Sequence, residues 1–155
     1  MMQQPKIDIT LAAIAYKTAK RGVMNSVFCA NVTVERGVEN DIFGRPGKRQ
    51  VTVMSKEQWQ IACQQIGNDL DWLTRRANLM ISGYQFSAAD VGKVIQIGDD
   101  LQLIITGETD PCKKMEQAYS GLEQALTPNW RGGVTCKVIV SGLIQQDDIV
   151  TIKTL

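Results

Sequence analysis

The sequence predicts an all-β domain of mixed strand direction, a barrel or sandwich of about seven strands with two or three short helices filling its ends. Three observations carry this expectation. Seven or so short stretches have strand-like apolar spacing, turn residues punctuate them at close intervals, and only two stretches show a good helical period. Strands and helices do not alternate along the chain, which disfavours a doubly wound α/β fold. A length of 155 residues with 44% hydrophobic content suits a single domain, taken over residues 1–155, that buries its own core.

Residues 1–6 read as a loose tail, and Ile7 to Tyr16 as a strand or a short helix. Lys17-Thr-Ala-Lys-Arg-Gly22 is a polar stretch ending on a turn glycine. Val23 to Glu35 places Val27, Phe28, Val32 and Val34 at mostly strand-like spacing, enough for one or two strands. A glycine-rich loop, Gly37 to Gly47, runs into Lys48-Arg49 and the strand Gln50 to Met54. Ser55-Lys-Glu-Gln58 has the form of a capping box. Trp59, Ala62, Cys63 and Ile66 then recur at i, i+3, i+4, i+7, with Gly67 as the stop. Cys63 falls on the core face of that helix. Leu79 to Ser82 is a strand ended by Gly83. Asp90 to Gly98 and Leu101 to Thr106 form a hairpin across Gly98-Asp99-Asp100. A second helix follows Cys112, with Met115, Tyr119, Leu122 and Leu126 as its buried stripe, Gly121 as its weak point and Pro128 as its end. Trp130 to Gly133 is a loop and Val134 to Val140 a strand that turns Cys136 inward with Val134, Val138 and Val140. Gly142 is a turn, and Ile149 to Lys153 a last strand.

Composition removes several functions. Lys plus Arg number 17 against 16 Asp plus Glu, so no global field draws the chain to nucleic acid or to an anionic membrane. Histidine is absent, which excludes Cys-His catalysis and histidine-rich zinc sites. The four cysteines show no CxxC pair or zinc spacing, so no zinc is expected. The apolar run Leu11 to Ala15 is too short for a signal peptide or a membrane span, and a reduced, cytoplasmic protein is the expectation. Gly44-Arg-Pro-Gly-Lys48 lacks the Ser or Thr of a P-loop, and no GxGxxG follows a strand, so no nucleotide cofactor is expected either.

The most chemically suggestive stretch is Thr109-Asp-Pro-Cys-Lys-Lys-Met115, where a strand hands over to a helix. Asp110 fits the N-cap, Pro111 the first helical position and Cys112 the second, where free amides and the helix dipole favour an anion. With Lys113 and Lys114 beside it, Cys112 has the setting of a thiolate that binds a soft metal or carries sulfur. Three other stretches suit an anionic ligand: Arg75, Arg76 and Asn78; Arg131 with Gly132 and Gly133; and the loop with Arg45, Lys48 and Arg49. Guanidinium forks grip phosphate or carboxylate, an amide reads a heterocycle edge, and paired glycines admit close backbone approach.

Thr74-Arg-Arg-Ala-Asn-Leu79, Gly107-Glu-Thr-Asp-Pro-Cys112 with Met115, and Asn129-Trp-Arg-Gly-Gly-Val-Thr-Cys-Lys-Val138, in this order, resemble the small single-domain members of the MOSC family, named for the C-terminal domain of molybdenum cofactor sulfurase. The likeness spans roughly residues 20 to 152. Many relatives have Gly-Asp followed by basic and histidine residues in the early loop; this chain reads Glu39-Asn-Asp-Ile-Phe-Gly44 and keeps only Asp41.

The resemblance implies a closed, mixed β-barrel of the pyruvate-kinase-like type that binds the molybdenum cofactor, molybdopterin with its phosphate tail. It implies Cys112 as the thiolate to molybdenum or the sulfur carrier. Arg75, Arg76 and Asn78, with Arg131, Gly132 and Gly133, are then the cofactor-binding residues. Asp110, next to the thiol, is the first carboxylate to supply a proton where histidine is lacking. The leading expectation is a reductase of N-oxygenated compounds served by an electron donor. A sulfur carrier with a persulfide on Cys112, served by a sulfur donor, comes second, and a cofactor-binding protein without turnover third.

Overall fold

The computed structural model describes residues 8–155; the expected tail and Ile7 lie outside them. In chain order the strands and helices are β1 (Ile9–Tyr16), β2 (Asn25–Val27), β3 (Cys29–Thr33), β4 (Gly37–Val38), β5 (Val51–Ser55), α1 (Lys56–Ile66), β6 (Leu79–Ser82), β7 (Val94–Ile97), β8 (Leu101–Glu108), α2 (Lys113–Ala118), α3 (Leu122–Leu126), β9 (Val134–Val140), β10 (Gly142–Gln145) and β11 (Ile149–Lys153). Single 3₁₀ turns lie at Trp72–Arg75, Ala88–Asp90 and Pro128–Trp130.

Seven strands close into a barrel in the order β11-β7-β8-β9-β5-β6-β1, and β1 pairs back to β11 through Ile9↔Val150 and Thr10↔Ile149. Only β5 and β6 are parallel within it, joined by α1 as the crossover; the other pairings are antiparallel, which makes the barrel mixed as expected. β2 pairs antiparallel with the C-terminal end of β1, and β10, β3 and β4 form a small separate sheet. The barrel interior is filled by inward residues at period two, among them Leu11, Val53, Leu79, Ile81, Leu103 and Cys136.

A second core lies on the outside of the barrel. Met54 and Met80 leave β5 and β6 on the faces opposite Val53, Leu79 and Ile81, and pack with Trp59, Ala62, Cys63, Met115, Leu122 and Leu126 from the helices. The helices therefore cover the outer wall of β5 and β6 rather than filling the barrel ends. Helix α1 runs as the sequence predicts: Ser55 caps it by accepting from the Gln58 amide at 3.3 Å, and Gly67 ends it in the left-handed region. The reciprocal half of the capping box does not form, because Gln58 Oε1 accepts from the Phe86 amide at 3.0 Å while its Nε2 donates to the carbonyls of Phe86 and Asn129, both at 2.9 Å.

Three other expectations are corrected. The helix after Cys112 is two short helices, broken at Tyr119-Ser-Gly121, where Gly121 takes φ +89 and gives its amide to Glu116 at 2.8 Å. Gly142 opens β10 instead of making a turn; a Cβ there would lie 2.5 Å from the Leu101 amide nitrogen, so glycine is needed for close strand contact. Val140 is exposed, because the β8–β9 register shifts between Gln102 and Leu103 and takes it off the inward face.

Candidate functional site

Thr52 and Thr135 face each other in the β5–β9 register and lie between the inward pairs Val51, Val53 and Val134, Cys136, so both point off the outer wall of the barrel. Around this stretch of wall lies a cavity of about 730 Å³. Loop 43–49 borders it on one side, Arg75-Arg-Ala77 on another, and Thr109 to Met115 closes it on a third. Lys17 reaches it from the end of β1.

Cys112 is exposed at this cavity. It stands two positions earlier in the helix than the sequence suggests: with φ −129 and ψ 178 it is the N-cap residue itself, and α2 starts at Lys113. Asp110 and Pro111 lie outside the helix, in the irregular chain leading to it. Their conformation follows from the tether at Thr109, whose amide donates to the Gly133 carbonyl at 2.9 Å and whose carbonyl accepts from Arg75 at 3.3 Å. Asp110 also lines the cavity, and its neighbour Glu108 has a carboxyl raised by burial and by the Asp110 charge and hydrogen bond.

The two consecutive arginines are held in different ways. Arg75 is 7% exposed; Nε and Nη2 both donate to the Gly132 carbonyl, at 3.2 and 2.9 Å, and Nη2 donates as well to Thr109. Burial pushes its guanidinium down, opposed by the charge of Cys112 beside it. Arg76 takes φ +67, the left-handed end of the 3₁₀ turn, and its side chain is exposed at the cavity without a hydrogen bond to any described residue.

The remaining sequence-derived residues stand behind the wall. Asn78 is buried between three strands: Oδ1 accepts from the Thr52 amide at 3.1 Å and its hydroxyl at 3.3 Å, and Nδ2 donates to Ala15 at 3.2 Å. It borders only a smaller cleft of about 110 Å³ next to Lys17, Arg49 and Arg76. Arg131 donates to the Ala125 carbonyl at 3.1 Å and ties α3 to the loop before β9. Gly132 offers the carbonyl that Arg75 grips, and a Cβ on it would lie 2.4 Å from the Thr109 oxygen. Gly133, at φ +94, packs directly on the Val53 carbonyl.

The model of the MOSC domain family matches residues 39–151, well over half of the chain. The chain belongs to the MOSC domain family. Among solved structures it is similar to the YuaD protein from Bacillus subtilis, at 16% identity and a TM-score of 0.80, over 95% of this chain and 97% of that one. It is similar also to YiiM from Geobacillus stearothermophilus, at 15% identity and a TM-score of 0.72, over 93% and 74% of the two chains. YiiM from Escherichia coli gives 15% and 0.70, over 94% and 70%. At such identities these likenesses show the fold. No curated protein matches the chain.

In this MOSC domain the cavity also holds groups that sequence reasoning passed over. Lys17, read as part of a polar turn, is 7% exposed; its Nζ donates to the Lys20 carbonyl at 3.2 Å and sits 5.0 Å from the centre of the Phe43 ring. Burial, then Arg76 and Lys114, push its ammonium below the ordinary lysine range. Its place directly after a long apolar strand was the available signal. Thr109 was passed over as well: its Oγ1 is buried and has no hydrogen-bond partner among the described residues.

The family is associated with the molybdenum cofactor, and the donor set suits that group. The cavity offers one accessible thiol for a soft metal. Lys17, Arg45, Arg49, Arg76 and Lys114 offer cations for a phosphate, and Thr109 an orphaned hydroxyl for a polar edge. Among the described residues no cluster of three or more His, Cys, Asp or Glu could hold a metal by itself, and no helix is long and apolar enough to cross a membrane.

Proposed function

We propose that this MOSC domain binds the molybdenum cofactor in the cavity beside Cys112 and reduces N-oxygenated compounds there. One observation carries the reading. An exposed thiol shares a cavity with six cations, five of them besides the buried Arg75, and none is in an ion pair, since the single ion pair among the described residues is Lys93 with Asp90, elsewhere.

When bound, the cofactor supplies two-electron oxygen-atom chemistry at its metal. Cys112 is the residue to ligate that metal, because its thiolate is soft and it is the one accessible sulfur at the cavity apart from the buried Met115. Arg76, with Arg45, Arg49 and Lys114, binds the phosphate tail, and the Thr109 hydroxyl takes a polar edge of the pterin. Arg75, Gly132 and Gly133 act one layer back: they fix the Thr109–Cys112 segment against the lead into β9. Asn78 fixes Thr52 and the end of β1, and Arg131 holds α3 in place. With no histidine in the chain, Asp110 at the cavity would hold a proton for the reaction together with its neighbour Glu108, and the raised carboxyl of Glu108 retains a proton nearer to neutrality than a free glutamate does. Four free thiols support a reduced, cytoplasmic setting, where a small redox protein would serve as electron donor.

A second reading is favoured by the exposure of Cys112, which leaves its sulfur open to a protein donor: a persulfide carried for transfer. One preparation tests both. Protein from a host that makes the cofactor is assayed for bound molybdenum and for oxidised pterin fluorescence, with Cys112→Ala alongside. Stoichiometric metal that the variant loses supports the reductase. Absence of metal and pterin from wild type, even after loading in vitro, ends that reading, and a mass gain of one sulfur on Cys112 then establishes the carrier.

A further inference from the structure

The stretch between β1 and β2 carries Lys20 and Arg21, and both border a second groove, of about 580 Å³, whose other walls are Arg76, Lys114, Gln117 and Ala118. Arg76 and Lys114 also line the Cys112 cavity, so the two spaces adjoin across these side chains. Four cations and no carboxylate border the groove, in a chain whose net charge is only +1. None of the four is in an ion pair among the described residues. A solvated protein face ordinarily intersperses charges of both signs, and one-signed fields in a cleft raise the local concentration of counter-ions.

The groove is also held in shape. Lys17 Nζ grips the Lys20 carbonyl at 3.2 Å, and the Gly22 amide donates to Ala19 at 2.9 Å, which turns the backbone so that positions 20 and 21 face α2. Arg76 reaches the same place because its backbone is in the left-handed region. The lowered ammonium of Lys17, to which burial contributes most and Arg76 and Lys114 next, against an opposing pull from Asp41, registers the positive charge that meets here.

We propose that this groove is a second anion subsite, which binds a phosphate group of a molecule whose other end occupies the Cys112 cavity. A phosphomonoester substrate and a phosphate-bearing extension of the cofactor share this chemistry. The inference builds on the Cys112 cavity being a ligand site; it does not require that the ligand there be a molybdenum cofactor.

The test uses inorganic phosphate on the whole chain, with ionic strength held constant by potassium chloride, and follows the backbone amides of Gln117 and Ala118 by NMR. Saturable shifts are expected in wild type, and Lys20→Gln/Arg21→Gln should weaken the affinity by about tenfold, the equivalent of about 1.4 kcal/mol. Both positions are exposed, so the variant should keep the wild-type melting temperature. Shifts that never saturate, or equal affinity in the variant, overturn the proposal. Two further readings identify the source of the phosphate. If the double variant binds AMP about tenfold more weakly but keeps its pterin content after expression in a cofactor-making host, the phosphate belongs to substrate. If pterin content falls and AMP binding is unchanged, it belongs to the cofactor. If neither changes, the subsite serves no ligand of the Cys112 cavity and the proposal fails. Absence of metal and pterin from wild type would sink the reductase reading while leaving the phosphate result standing.

Discussion

Replacing Arg75 by alanine should destabilise the fold by about 3 kcal/mol, while the same change at its neighbour Arg76 should stay within about 0.5 kcal/mol. The magnitude follows from the carbonyls that the buried guanidinium satisfies. Gly132 accepts at 2.9 and 3.2 Å and Thr109 at 3.3 Å, so two acceptors lose a charged donor. A hydrogen bond from a charged group contributes about 1.5–3 kcal/mol, which gives about 3–6 kcal/mol for the two. Against this stands the cost of keeping a cation away from water, visible in the downward push that burial exerts on the guanidinium; the net therefore lies near the lower end. Arg76 has no such partners, and alanine at φ +67 is no more strained than arginine. Urea unfolding followed by tryptophan fluorescence and extrapolated linearly measures both variants, and a loss of about 3 kcal/mol corresponds to a melting temperature lower by about 6–12 °C in a chain of this size. The order should reverse for ligand: Arg76→Ala should weaken phosphate binding by about tenfold. A cost below about 1 kcal/mol for Arg75→Ala, or equal costs at the two positions, would refute the division of labour between them.

The other predictions concern thiols, pH and backbone. Iodoacetamide should label Cys112 and Cys29 in the native protein and spare Cys63 and Cys136, whose thiols burial raises; mild oxidant should not join Cys112 to Cys136, and a bridged peptide in a digest would contradict the burial. Asp90 accepts from Tyr84 at 2.5 Å, the Ser87 amide at 2.9 Å and Lys93 at 3.0 Å. Burial would raise this carboxyl, but those three partners outweigh it and hold it below 3.8, so its contribution is complete above that pH and is lost as pH falls through the lower folded value. Asp90→Asn should accordingly cost about 1.5–3 kcal/mol at neutral pH, with the gap to wild type closing only in strong acid; a constant gap would show that the charge is irrelevant. Tyr84, pushed up to about 12 by burial and by Asp90, should add a loss of stability between its ordinary value of 10 and about 12 that Tyr84→Phe lacks. Gly133→Ala should cost about 2–5 kcal/mol, since φ is +94 and the new Cβ would lie 2.4 Å from the Val53 carbonyl; an unchanged melting temperature would refute the backbone account.

The barrel was legible where the cause is local. The period-two pattern of Val94 to Ile97 and Leu101 to Ile105 marks a hairpin because alternate residues enter one core, and Ser55 and Gly67 bound α1 through their own backbone chemistry. Closure was not legible in the same way, since Ile9 and Val150 meet across almost the whole chain and nothing near either residue names the other. Local signals were overridden near Cys112. Asp110-Pro111 is a strong helix start, yet Thr109 is tied to Gly133 and to Arg75, and the helix begins only after Cys112. The same limit applies to the site. Charge type can be read from sequence, but burial decides whether a cation is a strut or a ligand, and burial is set by distant segments. Arg75 and Arg76 are identical neighbours that both border the cavity; one is buried against the Gly132 carbonyl and the other is exposed, with the left-handed turn at Arg76 between them. Cys112, Arg76, Lys17 and Arg49 come from four separate segments, and what unites them is the stretch of barrel wall around Thr52 and Thr135 that the helices leave uncovered. The proposed anion site on the outside of the barrel occupies such a gap in its helical cover, which lies between the packed helices and loop 43–49.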